Sequence, residues 1–233
     1  MQVRLISHSR APIGPEREVK FKDGEIYIKT FPEKNIQDLI AYAARVSNPS
    51  NQDNKETADK LLKYLIKHKH WSPFEMASAC LEIETTRDIA RQILRHRSFS
   101  FQEFSQRYAD PTKDLEFVKR EARLQDEKNR QNSVEIDDPK LQAEWDTLQD
   151  MLIEDTRQAY QWAIAKGIAK EQARAVLPEG LTMSRMYMNG TIRSWIHYIE
   201  LRSANGTQKE HMEVAKACAV EIAKVLPMLN DVV

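Results

Sequence analysis

Arg95, His96 and Arg97 stand together at the start of RHRSFSFQEFSQRY (residues 95–108), and Arg107 stands near its end. A guanidinium can meet a phosphate through two parallel N–H donors, and hydroxyls with turn N–H groups complete such a site. Ser98, Ser100, Ser105, Gln102 and Gln106 add hydrogen-bonding groups to the stretch, and Phe99, Phe101 and Phe104 add rings. These residue types suit a phosphate cradle, a contact for single-stranded nucleic acid, or a solvated surface. The rest of the chain narrows the choice.

Across 233 residues, 35 Lys and Arg are balanced by 35 Asp and Glu, so there is no overall basic field to hold a polyanion. Nucleic-acid polymer is therefore not an expected partner. Six glycines form neither GxGxxG nor GxxxxGK[ST], so side chains rather than a glycine-rich loop must hold any nucleotide phosphates. His68 and His70 lack further ligands at a recognisable spacing, and no metal is expected. Ser105 has no GxSxG elbow around it and reads as a hydroxyl donor rather than a nucleophile. Cys80 and Cys218 read as buried free thiols. With no leader and no membrane-length apolar run, they predict a soluble cytoplasmic protein.

The elements that must position these groups are mostly helical. VRLISH (3–8) alternates like an edge strand. Helices are expected over 35–47, with Ile36, Leu39, Ile40 and Ala43 on one face, and over 53–70, with Asp53 as N-cap and Leu61, Leu62, Leu65 and Ile66 inward. A half-buried strand follows at 77–86, then a helix at 87–95. Residues 109–139 read as a polar surface excursion, partly helical and mobile. Helices at about 140–166, 170–178, 191–202 and 207–226 and a strand at 181–189 complete the chain. The class is α+β (α/β), helix-rich with a small mixed or antiparallel sheet. A single domain over 1–233 is expected, without repeats or a dividing linker.

Helical phase places two groups. Gln92, Arg95 and His96 share the flank beside the apolar face of Ile89, Ala90, Ile93 and Leu94, with Arg91 just beyond. In the helix 191–202, Arg202 lies about 20° from Trp195 at 100° per residue, inside the apolar arc of Ile192, Trp195, Ile196 and Ile199. A guanidinium directed there needs an acid, a carbonyl or a ligand.

The spacing RHRxxSxxExSxRY resembles the signature of the flavin-dependent (alternative) thymidylate synthases. AARVS (43–47), HKHWSPFE (68–75), ARQILRHR (90–97), ARAVLP (173–178) and RSWIHYIELR…NGTQKE (193–210) follow in the family's order. The resemblance touches nearly the whole chain apart from the polar excursion and the C-terminal end. It implies the family's α/β fold and methylation of dUMP to dTMP. Methylenetetrahydrofolate would be the one-carbon donor, FAD the flavin and NADPH the reductant, with no cysteine nucleophile. It also implies a homotetramer whose active sites are shared between subunits.

Site residues carry over by position. The resemblance assigns Ser47, His70, Ser72, Glu75, Arg95, His96, Arg97, Glu103, Thr191, Arg193 and His197 to FAD. It assigns Gln92, Arg95, Glu103, Phe104, Ser105, Gln106, Arg107 and Arg174 to dUMP, and Arg202 to the uracil N3 edge as the catalytic residue. Ser72 replaces the family's Thr and keeps the hydroxyl. Relatives often carry Asn at the positions of Thr191 and His197. Gln102 stands where many have Asn, and Gly206 where some have a flavin-contacting His. A nucleotide- or RNA-binding module and an oligomeric scaffold without chemistry are the competing readings. Polar groups at 72, 75, 92, 95–97, 103, 105, 107, 174 and 202 count against the scaffold, which has no need of them.

Overall fold

The computed structural model describes residues 1–10, 18–22, 25–29 and 35–231. Its centre is an antiparallel sheet of four strands: β1 (Gln2–His8), β4 (Ser78–Thr86), β8 (Met183–Thr191) and β5 (Phe99–Glu103), in the order β1-β4-β8-β5. Strands β2 (Glu18–Lys22) and β3 (Glu25–Lys29) form a separate hairpin. The period of two sorts the central strands into faces. Ala79, Leu81 and Ile83 of β4 lie opposite Gly190, Met188 and Met186 of β8, all buried. The other face carries Glu82 and Glu84, paired with Arg4 at 2.8 Å and Arg185 at 2.5 Å.

Six helices cover the apolar face or flank it: α1 (Ile36–Ala44), α2 (Ala58–Lys67), α3 (Arg87–Ile93), α7 (Ile192–Ser203), α8 (Lys209–Ala223) and the long α5 (Pro139–Ala165). The core joins Ile36, Ile40, Leu62, Ile89 and Ile93 to Trp195, Ile199, Val214 and Ile222. Trp195 is fully buried and donates its indole N–H to the Ala79 carbonyl at 3.0 Å, so its one polar atom is satisfied. Gly190 is required by close approach: a Cβ there would sit 2.4 Å from the Phe99 ring. That approach seats β5, and with it the segment after His96, against β8.

Several expected boundaries shift. The helix expected at 53–70 begins at Ala58, and Thr57 rather than Asp53 occupies its N-cap position. The helix expected over 35–47 ends at Ala44 and is capped by Asn35, whose side chain accepts from Asp38 N–H. The segment expected as a helix over 170–178 is one turn, α6 (Lys170–Ala173), tightening into a 3-10 turn over Arg174–Val176 before Pro178. No strand was expected at β5 or at β2–β3, although Phe99 and Phe101 alternate with Ser100 and Gln102, and Val19, Phe21, Ile26 and Ile28 alternate around Asp23-Gly24.

The polar excursion also has more structure than its composition suggests. It holds α4 (Pro111–Asp114) and a ribbon of β6 (Arg123–Gln125) and β7 (Ser133–Glu135). Charges tie it down where apolar anchors are few. Arg120 pairs with Asp88 at 2.8 Å and Glu210 at 3.1 Å, and Arg123 also pairs with Glu210. Lys209 reaches Glu121 at 2.7 Å. The Gln149 amide of α5 bonds both the N–H and the carbonyl of Arg120.

Candidate active site

Three groups of polar side chains converge on the ends of α3, β5 and α7. The first lies beside the start of α7. Thr191 caps that helix, accepting from Ser194 N–H at 3.2 Å, and Ser194 donates to the Ser98 carbonyl in the turn after Arg97. Arg193 pairs with Glu75 at 2.6 Å. His197 meets Trp71 edge to face at 4.5 Å. Ser72 and His70 are exposed on the same 70–76 segment, and Ser47 is exposed just after α1. Thus the 70–76 segment meets the start of α7 twice, through Glu75 on Arg193 and Trp71 on His197, with Thr191 at the helix cap.

The second group lies at the other end of α7. Arg202 donates through Nε to His96 Nε2 at 2.9 Å. Helical phase called for an acid, a carbonyl or a ligand beside Arg202, and the structure places the His96 ring there instead. That partner is a neutral ring: burial, then the charges of Arg202 and Arg95, push the His96 pKa down to about 4. Gln92 lies beside it, between His211 and Gln208. Arg95 and Arg97 are exposed, and no carboxylate pairs with either among the described residues.

The third group surrounds a cavity of about 350 Å³ lined by Arg87, Arg91, Gln106, Glu171, Arg174 and Glu179. Gln106 is buried, and its Nε2 has no hydrogen-bond partner among the described residues. A buried amide N–H left unpaired is costly, so a site that supplies an acceptor from a ligand fits this atom. Arg91 holds Glu179 at 2.9 Å, Arg107 holds Glu171 at 3.1 Å, and Arg174 donates to the Glu171 carbonyl at 3.2 Å. Glu103 accepts from Ser184 at 2.8 Å and faces Arg87 at 3.6 Å. Phe104 fixes the turn by donating its N–H to the Arg185 carbonyl, and Ser105 accepts from Arg107 N–H at 3.4 Å. A second cavity, of about 310 Å³, opens beside Arg120, Lys209 and Glu210, but those charges are already paired with one another or with acids nearby.

The dUMP candidates therefore divide. Gln106 and Arg174 line the cavity and Arg107 reaches its edge through Glu171, while Gln92 and Arg202 belong to the His96 group, and no hydrogen bond or ion pair joins the two sets among the described residues. Sequence reasoning assigned no role to Arg87 or His211. A cation in the first turn of α3 opposes the helix dipole, and that conflict was the available signal for Arg87. His211 is in phase with the buried Val214, Ala215, Cys218 and Ile222 of α8, which was the signal there.

A four-stranded antiparallel sheet covered by helices carries arginine-rich polar clusters at the ends of its elements. The chain belongs to the thymidylate synthase complementing protein family, whose pattern matches residues 29–228. It is 54% identical over 193 residues to a probable flavin-dependent thymidylate synthase of Paramecium bursaria Chlorella virus 1, covering 83% of this chain and 88% of that one. It is 52% identical over 189 residues to a flavin-dependent thymidylate synthase of Synechocystis sp., covering 81% and 85%. The fold matches the crystal structure of the UMP/dUMP methylase PolB from Streptomyces cacaoi bound with 5-Br dUMP. The TM-score is 0.74 at 24% identity, over 99% of this chain and 93% of that one.

Proposed function

We propose that this protein methylates dUMP to dTMP, with methylenetetrahydrofolate as carbon donor, NADPH as reductant and FAD as the flavin. The observation that carries the nucleotide side is the Gln106 cavity. It has a buried N–H with no partner among the described residues and three arginines beside it, and two of its lining residues, Gln106 and Arg174, stand at positions that the family assigns to dUMP. Arg174, Arg107 and Gln106 hold the phosphate end in this reading, and Gln92 and Arg202 hold the base.

The residues present also fit a flavin dinucleotide. Arg95 and Arg97, which no carboxylate pairs among the described residues, suit its phosphates, and the Trp71–His197 wall with Ser72, Glu75 and Arg193 offers rings and hydrogen bonds. When bound, the flavin supplies the electron transfer that turns a methylene into a methyl group. Arg202 acts on the uracil: its fixed charge favours an electron-rich ring and so attack by C5 on the carbon donor. His96 holds the guanidinium without neutralising it. No protein thiolate is needed, and burial pushes both the Cys80 and the Cys218 thiols above their ordinary pKa, which suits them poorly as nucleophiles.

The division of the dUMP residues between two regions of one chain supports sites completed by neighbouring subunits in a homotetramer. Helix α5 supplies a surface for a second copy. Leu141, Trp145, Leu148, Leu152 and Trp162 share one heptad phase, and Leu148 and Trp162 are 59% and 60% exposed. Among the described residues no helix is long and apolar enough to cross a membrane. Two unpaired cysteines suit a reducing cytoplasm.

The test is direct. Purified protein should show a flavin absorption spectrum that NADPH bleaches, and should form dTMP when dUMP and methylenetetrahydrofolate are added. Lack of FAD affinity by fluorescence quenching sinks the reading. Light scattering should give a tetramer that Leu148→Glu dissociates.

A further inference from the structure

Helix α8 buries a histidine that neither the family positions nor the mechanism above uses. His211 has no exposed surface. Its Nδ1 lies 3.2 Å from Gln92 Oε1, and its Nε2 lies 3.2 Å from the Tyr198 hydroxyl. Gln92 Nε2 donates to Gln208 Oε1 at 2.8 Å, and Gln208 Nε2 donates to Glu210 Oε2 at 3.0 Å.

The polarity of this chain is set from one end. Burial would raise the Glu210 pKa, but the Arg123 hydrogen bond, the Arg120 charge and Gln208 outweigh it and bring it to about 2. Glu210 is therefore ionised and can only accept. Gln208 must turn its amide N–H toward it and its oxygen toward Gln92. Gln92 must then turn Nε2 toward Gln208 and Oε1 toward His211. An oxygen facing Nδ1 requires the proton on Nδ1, which leaves Nε2 to accept from the Tyr198 O–H. Every member has one orientation. Burial, then the fixed charge of Arg202 and more weakly that of Arg95, hold the His211 pKa down at about 3, so the ring stays neutral and the arrangement persists at neutral pH.

We propose that His211 is a positioning residue for the substrate: through Nδ1–H it locks the Gln92 amide in one orientation, leaving one N–H and one lone pair of that amide for the nucleotide. The inference rests on the reading of Gln92 as a dUMP contact. Tyr198 locks the ring from behind. Arg120 and Arg123, on the polar excursion, set the same orientation from the other end through Glu210.

Two half-replacements separate positioning from packing. His211→Asn keeps a donor near the Nδ1 position and loses the Tyr198 contact. His211→Gln keeps an acceptor near the Nε2 position and loses the bond to Gln92. Titration calorimetry with dUMP on the flavin-loaded protein should find His211→Asn within about twofold of wild type. His211→Gln should be weakened roughly 3- to 10-fold, as for loss of one buried hydrogen bond. The Gln92→Ala/His211→Gln double variant should be no worse than Gln92→Ala. Melting temperature and flavin content, read on the same samples, report packing alone. Equal weakening by Asn and Gln, or additive losses in the double variant, overturns the positioning role. Unchanged dUMP affinity in Gln92→Ala instead removes the reading of Gln92 itself, and the inference with it. Should either variant fail to fold, 15N-histidine NMR of the wild type at about pH 5 decides, since exposed histidines are protonated there. The neutral ring whose Nε2 signal moves in Tyr198→Phe must carry its proton on Nδ1, and an Nε2 proton overturns the proposal.

Discussion

Arg202 and Arg91 are both helical arginines in polar clusters, yet they are held in opposite ways. Arg91 lies against Glu179, with Arg87 at 3.8 Å from the same carboxylate, so charge is largely balanced before any ligand arrives. Arg202 is held by a neutral imidazole, and no carboxylate pairs with it among the described residues. A carboxylate positions a guanidinium but spends its field, whereas a neutral acceptor positions it and leaves the charge available. Arg87 and Arg91 thus suit binding of an anion that exchanges with resident acids, and Arg174, held among the described residues only by the Glu171 carbonyl, adds a charge beside them. Arg202 suits stabilisation of charge that develops during reaction.

Arg202→Ala has the largest expected effect. Loss of one preorganised electrostatic contact should lower dTMP formation on the order of 100- to 1000-fold, or about 3–4 kcal/mol. Flavin reduction by NADPH should survive. Arg202→Lys keeps a charge but has no planar fork to meet His96, so its turnover should fall between those of Ala and wild type. Near wild-type dTMP formation in Arg202→Ala would make the residue structural.

Arg174→Ala probes the other region. Removing one charge-assisted phosphate contact should weaken dUMP binding about 10- to 100-fold, with turnover at saturating dUMP changed far less. A loss confined to turnover, with dUMP affinity intact, would erase the distinction between binding and catalytic arginines.

Acid pH tests the neutral acceptors. His96 and His211 have native pKa values of about 4 and about 3, both below the ordinary 6.5. As pH falls through 6.5 the unfolded rings take up protons before the native ones do. The stability from these neutral rings is therefore full above about pH 6.5 and is lost progressively toward pH 4. Between pH 7 and pH 5 denaturant midpoints should report a loss of about 1–3 kcal/mol, smaller in His211→Asn. A flat profile would mean that one or both rings are already charged in the native state.

The smallest expected effect is at Cys80. Cys80→Ala should retain most turnover and lose about 1 kcal/mol of stability, measured by activity and thermal melting together. Abolished catalysis in a folded Cys80→Ala protein would move the chemistry from arginine to thiolate.

Local chemistry made much of this legible in the chain. The RHR…RY spacing and five further stretches identified the family, and periodic apolar residues located the large helices, because both signals lie within short windows. Helical phase also isolated Arg202, since a charge inside the arc of Trp195 and Ile199 demands a partner. What that partner was could not be read locally: His96 stands 106 positions earlier and meets Arg202 only because α7 packs beside the α3–β5 turn. The same holds for Gln106, whose Nε2 is an orphan only once burial removes water from it. Strand β5 has a short period-two pattern in Phe99 and Phe101, but what it packs on, β8 with Gly190 under the Phe99 ring, lies far along the chain. Sequence by itself determined which groups were present, which faces they shared on each helix, and the family they belong to. Tertiary structure decided which charges are balanced and which stand free, because the cost of a buried charge or amide depends on what long-range packing brings against it.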